Sequence, residues 1–259
     1  MDFIVCLKQI VDLQQVRIKK DTREAVLEGL PFVFSDLDMN ALEAAVGIRE
    51  KDGGKVVALC IGNAKLKDTI KDALARGADE AVLIIDPAFD NLDPRGKAEV
   101  LATSIRKMGH YDAIFMGEGS SDSYSGQTCG RLAALLDIPE ISYVSKLEFT
   151  NGTAKATRSM DDCYEVVESS LPTMLTFTSE INSPRIPSLM QIVKAGKKPI
   201  QLWNNVDLNV PADKLAKEVE LVSNLAPVEQ RKMLIFEGEA KDVAVSVVDS
   251  LIKEGVLGR

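Results

Sequence analysis

Two hydrophobic patterns alternate along the first half of the chain. Short apolar runs are typical of strands that are covered on both faces, and the stretches between them repeat apolar residues with helical spacing. The predicted strands are residues 3–7, 55–61, 81–85 and 112–116, and the predicted helices are residues 40–50, 66–76, 97–108 and 127–136. This alternation predicts right-handed crossovers and an α/β fold with a mostly parallel, doubly wound sheet.

The pattern changes after residue 145. Residues 146–149 and 153–159 flank the dipeptide Asn151-Gly152, which suits the type I′ turn of a β-hairpin. Two more strand-like runs, residues 164–169 and 173–178, follow the hairpin. We expect all four runs to form an antiparallel extension of the same sheet.

The last quarter of the chain has little periodicity. A short helical pattern covers residues 190–195, residues 203–227 show no strong pattern, and an amphipathic helix is predicted at 240–253. So long a stretch with so little pattern is unusual inside a compact domain. We therefore divide the chain into an α/β domain of residues 1–200 and a C-terminal arm of residues 201–259 that packs on another chain.

Composition narrows the class of protein further. With 46% hydrophobic residues the 259-residue chain can build a full core, and its net charge of −8 disfavours a nucleic-acid partner. No apolar run reaches the length of about 18 residues that predicts a membrane span. The start of the chain reads directly into a strand without the features of a secretory signal, so we expect a cytoplasmic protein.

The residue types most often used in catalysis and metal binding are sparse. Cys6, Cys60, Cys129 and Cys163 are scattered and form no CxxC pair, which favours buried thiols in a reducing cytoplasm. His110, the single histidine, lies in a turn after a predicted helix. We predict no catalytic residue and no metal site.

The loop of residues 117–128, GEGSSDSYSGQT, is the most informative segment. It follows the carboxyl end of a predicted strand and opens a helix, the place where parallel sheets bind ligands and where a helix start favours phosphate. Its glycines allow close approach of the backbone. The loop matches neither a Walker A motif nor GxGxxG, and from composition alone an ordinary surface loop is an equally good interpretation.

Several segments in order resemble one known family. The sequence GEGSSDSYSGQTCGRLAALL is similar to the nucleotide-binding loop of electron transfer flavoprotein β subunits. The segments VCLKQIVD, DLDMNALEAAVGIRE, ALCIG, LKDTIKDALARGADEAVLI and LPTMLTFTSEINSPRIPSLMQIVKAGKKPI resemble further landmarks of these subunits. The resemblance covers residues 1–200.

This resemblance implies an adenine nucleotide α-hydrolase-like domain that binds FAD or, alternatively, AMP above its sheet, beside an α subunit that carries its own FAD. Carried over by position, the nucleotide contacts are Cys6, Ser35, Asp38, Ile61, Gly62, Gly117, Gly119, Ser120, Ser121, Asp122, Ser123, Tyr124, Ser125, Gly126, Gln127 and Thr128. Gly126, Gln127 and Thr128 are expected to hold phosphate. The arm is expected to pack on the α subunit.

The resemblance also implies a recognition loop at residues 184–198, which contacts a flavin-containing dehydrogenase of the acyl-CoA type. The expected contacts are Pro184, Arg185, Leu189 and Lys194, with Leu189 entering a hydrophobic pocket of the partner. From helical spacing alone the favoured alternative is that Leu189, Ile192 and Val193 form a buried helix face. The lysines at 194, 197 and 198 either steer an acidic partner or are solvated in a turn.

The expected function is to pass electrons between NADH, or a flavin dehydrogenase, and the FAD of the α subunit. Flavin-based electron bifurcation, with ferredoxin or flavodoxin as a further acceptor, is one route. The alternatives are a non-bifurcating β subunit with structural AMP, or an adenine-nucleotide-sensing regulatory domain. Ser35 stands where many family members have Asn, and EGSSDSY replaces an acidic stretch. The sequence therefore leaves the ligand open, although these features resemble an anaerobic subgroup.

Overall fold

One large sheet organises the part of the chain that the computed structural model describes, residues 1–228 and 231–258. Its strands are β1 (Asp2–Val11), β4 (Phe32–Phe34), β5 (Lys55–Ile61), β6 (Glu80–Ile84), β7 (Ala113–Gly117), β8 (Glu140–Thr150), β9 (Thr153–Ser159), β10 (Tyr164–Ser170), β11 (Thr173–Phe177) and β12 (Ile200–Trp203). The order is β10-β9-β8-β11-β7-β1-β5-β6-β12, with β4 paired to β1. A separate small hairpin consists of β2 (Arg17–Ile18) and β3 (Ala25–Val26).

Helices cover both faces of the parallel part of the sheet. These helices are α1 (Asp36–Asp52), α2 (Leu66–Arg76), α3 (Pro94–Met108) and α4 (Thr128–Leu136). The later helices are α5 (Leu189–Ala195), α6 (Asn205–Leu208), α7 (Ala212–Leu215) and α8 (Ala240–Lys253). Alternate side chains of each strand point to opposite faces. Phe3 and Val5 of β1 therefore pack with α1 and α2, whereas Ile4 and Cys6 pack with α3 and α4. The predicted doubly wound α/β fold is confirmed.

The antiparallel extension is confirmed in part. β8, β9 and β10 form an antiparallel meander, and Asn151-Gly152 makes the tight turn between β8 and β9. The prediction was wrong for residues 173–178, because β11 lies between β7 and β8 and runs parallel to both. Every residue of β11 is buried, as expected for a strand covered on both faces, so the chain returns from the meander into the parallel sheet.

At the opposite edge of the sheet, β12 pairs in parallel with β6. No pattern in the sequence predicted this strand. It begins at residue 200, where the α/β domain was expected to end, so the sheet continues to Trp203. Beyond it, α6 and α7 lie against α3, whereas α8 has no buried residue. In the described part of the chain, no helix is long and apolar enough to cross a membrane.

The order of the strands defines one switch point. From β1 the chain moves to β5 and β6 in one direction, and β7 then lies on the other side of β1. Crossovers on the two sides of such a point leave a crevice outside the carboxyl ends of the strands. Here that crevice lies between β1 and β7, and the loop of residues 117–128 rises from the end of β7.

Candidate functional site

A buried carboxylate joins the two strands that flank the switch point. The Oδ2 atom of Asp38 accepts a hydrogen bond from the backbone N–H of Lys8 at 2.8 Å, and its Oδ1 atom accepts one from the N–H of Gly117 at 2.9 Å. Helix α1 begins four residues earlier than predicted, which places Asp38 in its first turn. The predicted site residue Asp38 therefore lies beneath the crevice and fixes the spacing of β1 and β7.

Opposing effects act on the ionisation of Asp38. Burial raises the pKa of this carboxyl to about 7, although the two backbone donors and the nearby Lys8 ammonium act in the opposite direction. Both of its oxygens already accept backbone hydrogen bonds within the chain. Asp38 therefore holds β1 and β7 together beneath the crevice, and its oxygens have little capacity left to accept hydrogen bonds from a ligand.

Ser35 supports the loop of residues 117–128 from the start of α1. Its side chain is buried, and its Oγ atom accepts a hydrogen bond from the backbone N–H of Ser121 at 3.2 Å and lies 3.3 Å from the Oγ atom of Ser121. At the base of the loop a Cβ atom on Gly117 would lie 2.7 Å from the Cβ atom of Leu37. Only glycine allows the end of β7 to approach α1 so closely.

The outer part of the loop is open to solvent and turns sharply. Residues 121–127, which include Ser125, are exposed, and Tyr124 and Gly126 adopt positive φ angles of 44° and 62°. The ring of Tyr124 lies over Gly119, and its hydroxyl donates a hydrogen bond to Glu118 at 2.5 Å. This bond raises the pKa of Tyr124 to about 12. The loop thus has a defined shape that leaves its polar atoms accessible.

Lys8 is a central residue of the site that the sequence analysis did not single out. Its Nζ atom donates to the Oγ atom of Ser120 at 2.9 Å, to the Oδ1 atom of Asp122 at 2.6 Å and to the Oγ atom of Ser123 at 3.1 Å. Burial opposes ionisation of Asp122, but the bonds from Lys8 and Ser120 prevail and lower its pKa. A lysine directly after a buried apolar run was the available signal in the sequence.

A second cation lies near this network. Lys97 of α3 is half-buried, and burial lowers its pKa, as does the positive charge of Lys8. The negative charge of Asp122 acts in the opposite direction. The loop of residues 117–128 is therefore in the electrostatic field of two ammonium groups, in a chain whose net charge is negative.

The start of α4 is another group of donors at the crevice. Gln127 is the N-cap residue, and its side chain accepts no hydrogen bond from the first turn; its Oε1 atom instead accepts one from Arg131 at 3.2 Å. The neighbouring helix α3 differs, because Asp93 caps it through the N–H of Gly96. A first turn without a side-chain cap, beginning at Thr128, leaves N–H groups for an anion.

The remaining predicted contacts lie on neighbouring strands. Ile61 at the end of β5 is opposite Lys8 in the sheet register, and Gly62 donates its N–H to the carbonyl of Ile84 at 3.1 Å. The thiol of Cys6 is buried, and burial raises its pKa. A ligand in the crevice would meet the backbone of Cys6, whereas its side chain packs towards α3 and α4.

The predicted partner contacts lie on a second surface, which we call the recognition segment and define as residues 182–198. Leu189 begins α5 and is 78% exposed, and Ile192 and Val193 are also exposed, so these residues are not a buried face within this chain. Pro184 and Arg185 precede the helix, and Lys194 lies in its last turn. The guanidinium of Arg185 is bonded within the chain, to Glu43 and Glu50.

Only part of the lysine cluster of this segment is solvated. The Nζ atom of Lys198 donates to the carbonyl oxygens of Leu74 and Ala78 at 2.8 Å and 2.5 Å. Lys198 therefore holds the end of the segment to α2. Among the residues that the structure describes, no group of three or more His, Cys, Asp or Glu side chains could hold a metal ion.

The donors at the crevice are chemically suited to an anionic ligand. They comprise an ammonium group, three serine hydroxyls and the start of an uncapped helix beside a glycine with positive φ. Fold and site together define a doubly wound α/β protein whose polar groups converge at the switch point of its sheet.

Comparisons with known proteins agree with this class. Residues 25–208 match the model of the electron transfer flavoprotein domain. The chain is 35% identical over 99% of its length to the whole electron transfer flavoprotein subunit beta of Thermoanaerobacterium thermosaccharolyticum. It is 36% identical to the corresponding subunit of Clostridium acetobutylicum, over 81% of each chain. It is also 34% identical, over 81% of its length and 80% of the relative's, to the caffeyl-CoA reductase-Etf complex subunit CarD of Acetobacterium woodii. The chain therefore belongs to the electron transfer flavoprotein family.

Proposed function

We propose that this chain is the nucleotide-binding β subunit of a heterodimeric electron transfer flavoprotein. It passes electrons between a flavin-containing dehydrogenase of the acyl-CoA type, or NADH, and the FAD of an α subunit. The observation that carries the proposal is the convergence of Lys8, the loop of residues 117–128 and the start of α4 at the switch point. Similarity to β subunits over the full length of the chain supports it.

The nucleotide binds through its phosphates at the turn between β7 and α4. Gly126, Gln127 and Thr128 present backbone N–H groups, since the positive φ of Gly126 turns the chain into an uncapped helix start. Lys8 exchanges its bond to Asp122 for one to the phosphates, because the pyrophosphate of FAD or the phosphate of AMP carries two negative charges and Asp122 carries one. Ser120, Ser121 and Ser123 add hydroxyl donors.

We favour FAD over AMP as the ligand of this subunit. The support is the resemblance of the EGSSDSY stretch to an anaerobic subgroup, together with the similarity to a subunit named as part of a caffeyl-CoA reductase complex. A bound flavin would supply the chemistry of accepting and donating electrons. The residues of this chain then bind and orient that flavin.

The α subunit packs on the C-terminal arm. Helix α8 has no buried residue, although it is amphipathic, and Val245, Val248 and Ile252 form apolar positions on it that are exposed in this chain. An amphipathic helix that finds no core in its own chain is expected to bury its apolar face against a partner. The recognition segment is then free for the dehydrogenase, with Leu189 as its anchor.

NADH oxidation by the flavin of this subunit would extend the function to electron bifurcation. The two electrons of one hydride would separate, one to ferredoxin or flavodoxin and the other to the FAD of the α subunit. We also propose a cytoplasmic location, because Cys6, Cys60 and Cys129 are buried free thiols.

Extraction of the native αβ complex tests these proposals. The complex is purified, precipitated with acid, and the released flavin and adenine nucleotides are counted per heterodimer. Two FAD molecules would support FAD in this subunit. One FAD and one AMP would rule out bifurcation and leave the non-bifurcating carrier. One FAD with no second nucleotide would contradict the nucleotide site itself. A colourless homodimer of this chain would contradict the carrier function.

A further inference from the structure

The orientation of α5 needs an explanation that the core does not provide. This helix has seven residues, of which only Ala195 is buried. The apolar side chains of the segment point outward: Ile186 is 89% exposed, Leu189 78%, Met190 68%, Val193 63% and Ile192 52%. A helix this short is not stable alone in water. Ala195 alone joins the core, so contacts of the flanking residues are also needed to set the position of α5.

Arg185, four residues before α5, makes the densest of these contacts. Its Nε atom donates to Glu43 Oε2 at 2.8 Å and its Nη2 atom to Glu43 Oε1 at 2.9 Å. The same guanidinium reaches Glu50 through Nη1 at 2.6 Å and Nη2 at 2.9 Å. Its backbone N–H also donates to Glu43 at 3.1 Å. Glu43 and Glu50 are seven residues apart on α1, two helical turns along the same face.

Further hydrogen bonds fix the backbone on both sides of Arg185. Asn40 and Asn182 exchange side-chain amide bonds to each other's carbonyl, at 2.8 Å and 3.0 Å. Arg76 of α2 donates to the carbonyl of Arg185 at 2.5 Å. At the far end of the segment, Lys198 bonds two carbonyls at the end of α2. Polar contacts with α1 and α2 thus hold the segment at its two ends.

We propose that Arg185 is a positioning residue for partner docking: by bonding Glu43 and Glu50 together, it fixes α5 with Leu189 facing outward. The inference rests on the proposed docking of a dehydrogenase at this segment. A surface already ordered in its binding orientation loses less conformational entropy on association. Release of the segment therefore weakens docking, while electron transfer within a docked complex is unaffected.

The arginine is required for its geometry as well as for its charge. A planar guanidinium can form paired hydrogen bonds with two carboxylates at once, whereas an ammonium is a point charge without that fixed fork. Arg185→Lys keeps the charge and should restore only part of the order. Arg185→Gln removes both the charge and the fork and should release the segment.

Hydrogen–deuterium exchange of the intact αβ complex measures this order without any partner. In Arg185→Gln we expect the amides of residues 186–195 to exchange about tenfold faster, as expected for the loss of hydrogen bonds between charged groups. Arg158→Gln is the matched control. Arg158 also bonds a glutamate, Glu165 at 2.8 Å, and its side chain is 24% exposed, compared with 25% for Arg185. The control should leave this exchange unchanged.

A second variant tests whether faster exchange reflects loss of this contact or general unfolding. Glu50→Gln removes only the more exposed half of the contact and should accelerate the same amides by a smaller factor. Unchanged exchange in both Arg185→Gln and Glu50→Gln would overturn the proposal. Equal acceleration in Arg158→Gln would overturn it too, because the effect would then not be specific to this contact.

Steady-state kinetics with the dehydrogenase that reduces the complex gives the functional readout. In Arg185→Gln we expect the KM for the complex to rise about fivefold at unchanged kcat, since only the ordering of the docking surface changes. A fall in kcat with unchanged KM would contradict a positioning role. The proposed docking is tested separately from the role of Arg185. It would be contradicted if Leu189→Ala left KM unchanged while Arg185→Gln still accelerated exchange.

Discussion

The loop of residues 117–128 and the recognition segment both lie against α1, and they leave opposite kinds of groups available. The loop gathers an ammonium, hydroxyls and backbone N–H groups at the ends of buried strands. The recognition segment uses Arg185 and Lys198 for internal contacts and leaves apolar side chains in solvent. Available polar donors suit a small anionic ligand, whereas an exposed apolar surface suits another protein.

One helix supports both surfaces. The start of α1 contributes Ser35 and Asp38 to the loop, and its later turns contribute Asn40, Glu43 and Glu50 to the recognition segment. Because α1 contacts both surfaces, it sets the position of the proposed ligand relative to the proposed partner. Changes on α1 or on either surface should therefore have separable effects.

The largest effect is expected from Asp38→Asn. The amide nitrogen of Asn cannot accept a hydrogen bond, so the N–H of Lys8 or of Gly117 is left without its acceptor in a buried position. We expect the free energy of unfolding to fall by about 2 kcal/mol. Chemical denaturation measures this change, and the nucleotide content of the complex should fall with it.

Asp36→Asn is the control for this variant. Asp36 lies in the same first turn of α1 but is exposed, so its replacement should change the unfolding free energy by less than about 0.5 kcal/mol. If Asp38→Asn were as stable as Asp36→Asn, Asp38 would not be the residue that joins β1 to β7.

Gly126→Val should separate ligand binding from stability. A side chain at the φ of 62° is strained, which costs about 1–2 kcal/mol, and it stands where the phosphate is proposed to approach the backbone. We expect the nucleotide of this subunit to be lost, as counted after acid extraction. Gly152→Val carries similar strain, at φ 76° in the β8–β9 turn far from the site, and should keep its nucleotide. Full occupancy in Gly126→Val would mean that the phosphate lies elsewhere.

Leu189→Ala tests the second surface. An exposed anchor that fills a partner's pocket contributes strongly to docking, so we expect the KM of the reducing dehydrogenase for the complex to rise about tenfold. The flavin content should not change. Val166→Ala on the edge strand β10 is the control, because Val166 is also apolar and 62% exposed. Unchanged kinetics in Leu189→Ala would remove the anchor hypothesis.

The local pattern of apolar and polar residues predicted most strands and helices of the central fold. It could not predict the order of the strands in the sheet. The alternation of strands and helices was readable from residue 3 to residue 136, because buried strands and amphipathic helices have different periods. The position of β11 was not readable, since an apolar run carries no information about its neighbours. The short strand β12 was missed because four residues, three of them exposed, are too few to show an alternating pattern.

Prediction of the candidate site had the same limit: local composition indicated the loop, but contacts between distant segments were not visible. The loop of residues 117–128 was visible from its composition and its place after a strand. Lys8 was missed because its partners Ser120 and Asp122 are more than a hundred residues away along the chain. The spacing of Glu43 and Glu50 was visible on α1, but nothing in the sequence paired them with Arg185. Helical spacing alone favoured a buried Leu189, since spacing reports a shared face and cannot say whether a partner chain covers it.

The smallest effect is expected from a change at the start of α1, which tests whether the two surfaces respond independently. Ser35→Ala removes the acceptor for the N–H of Ser121 while keeping the size of the side chain nearly constant. We expect nucleotide affinity to fall about fivefold, which corresponds to about 1 kcal/mol for one neutral hydrogen bond. Hydrogen exchange in the recognition segment should not change, because Ser35 touches only the loop side. Ser145→Ala, which removes another mostly buried serine bonded to the carbonyl of Thr157, is the control and should leave affinity unchanged. If Ser35→Ala loosened the recognition segment as well, α1 would transmit changes between the two surfaces and would not be the rigid support inferred here.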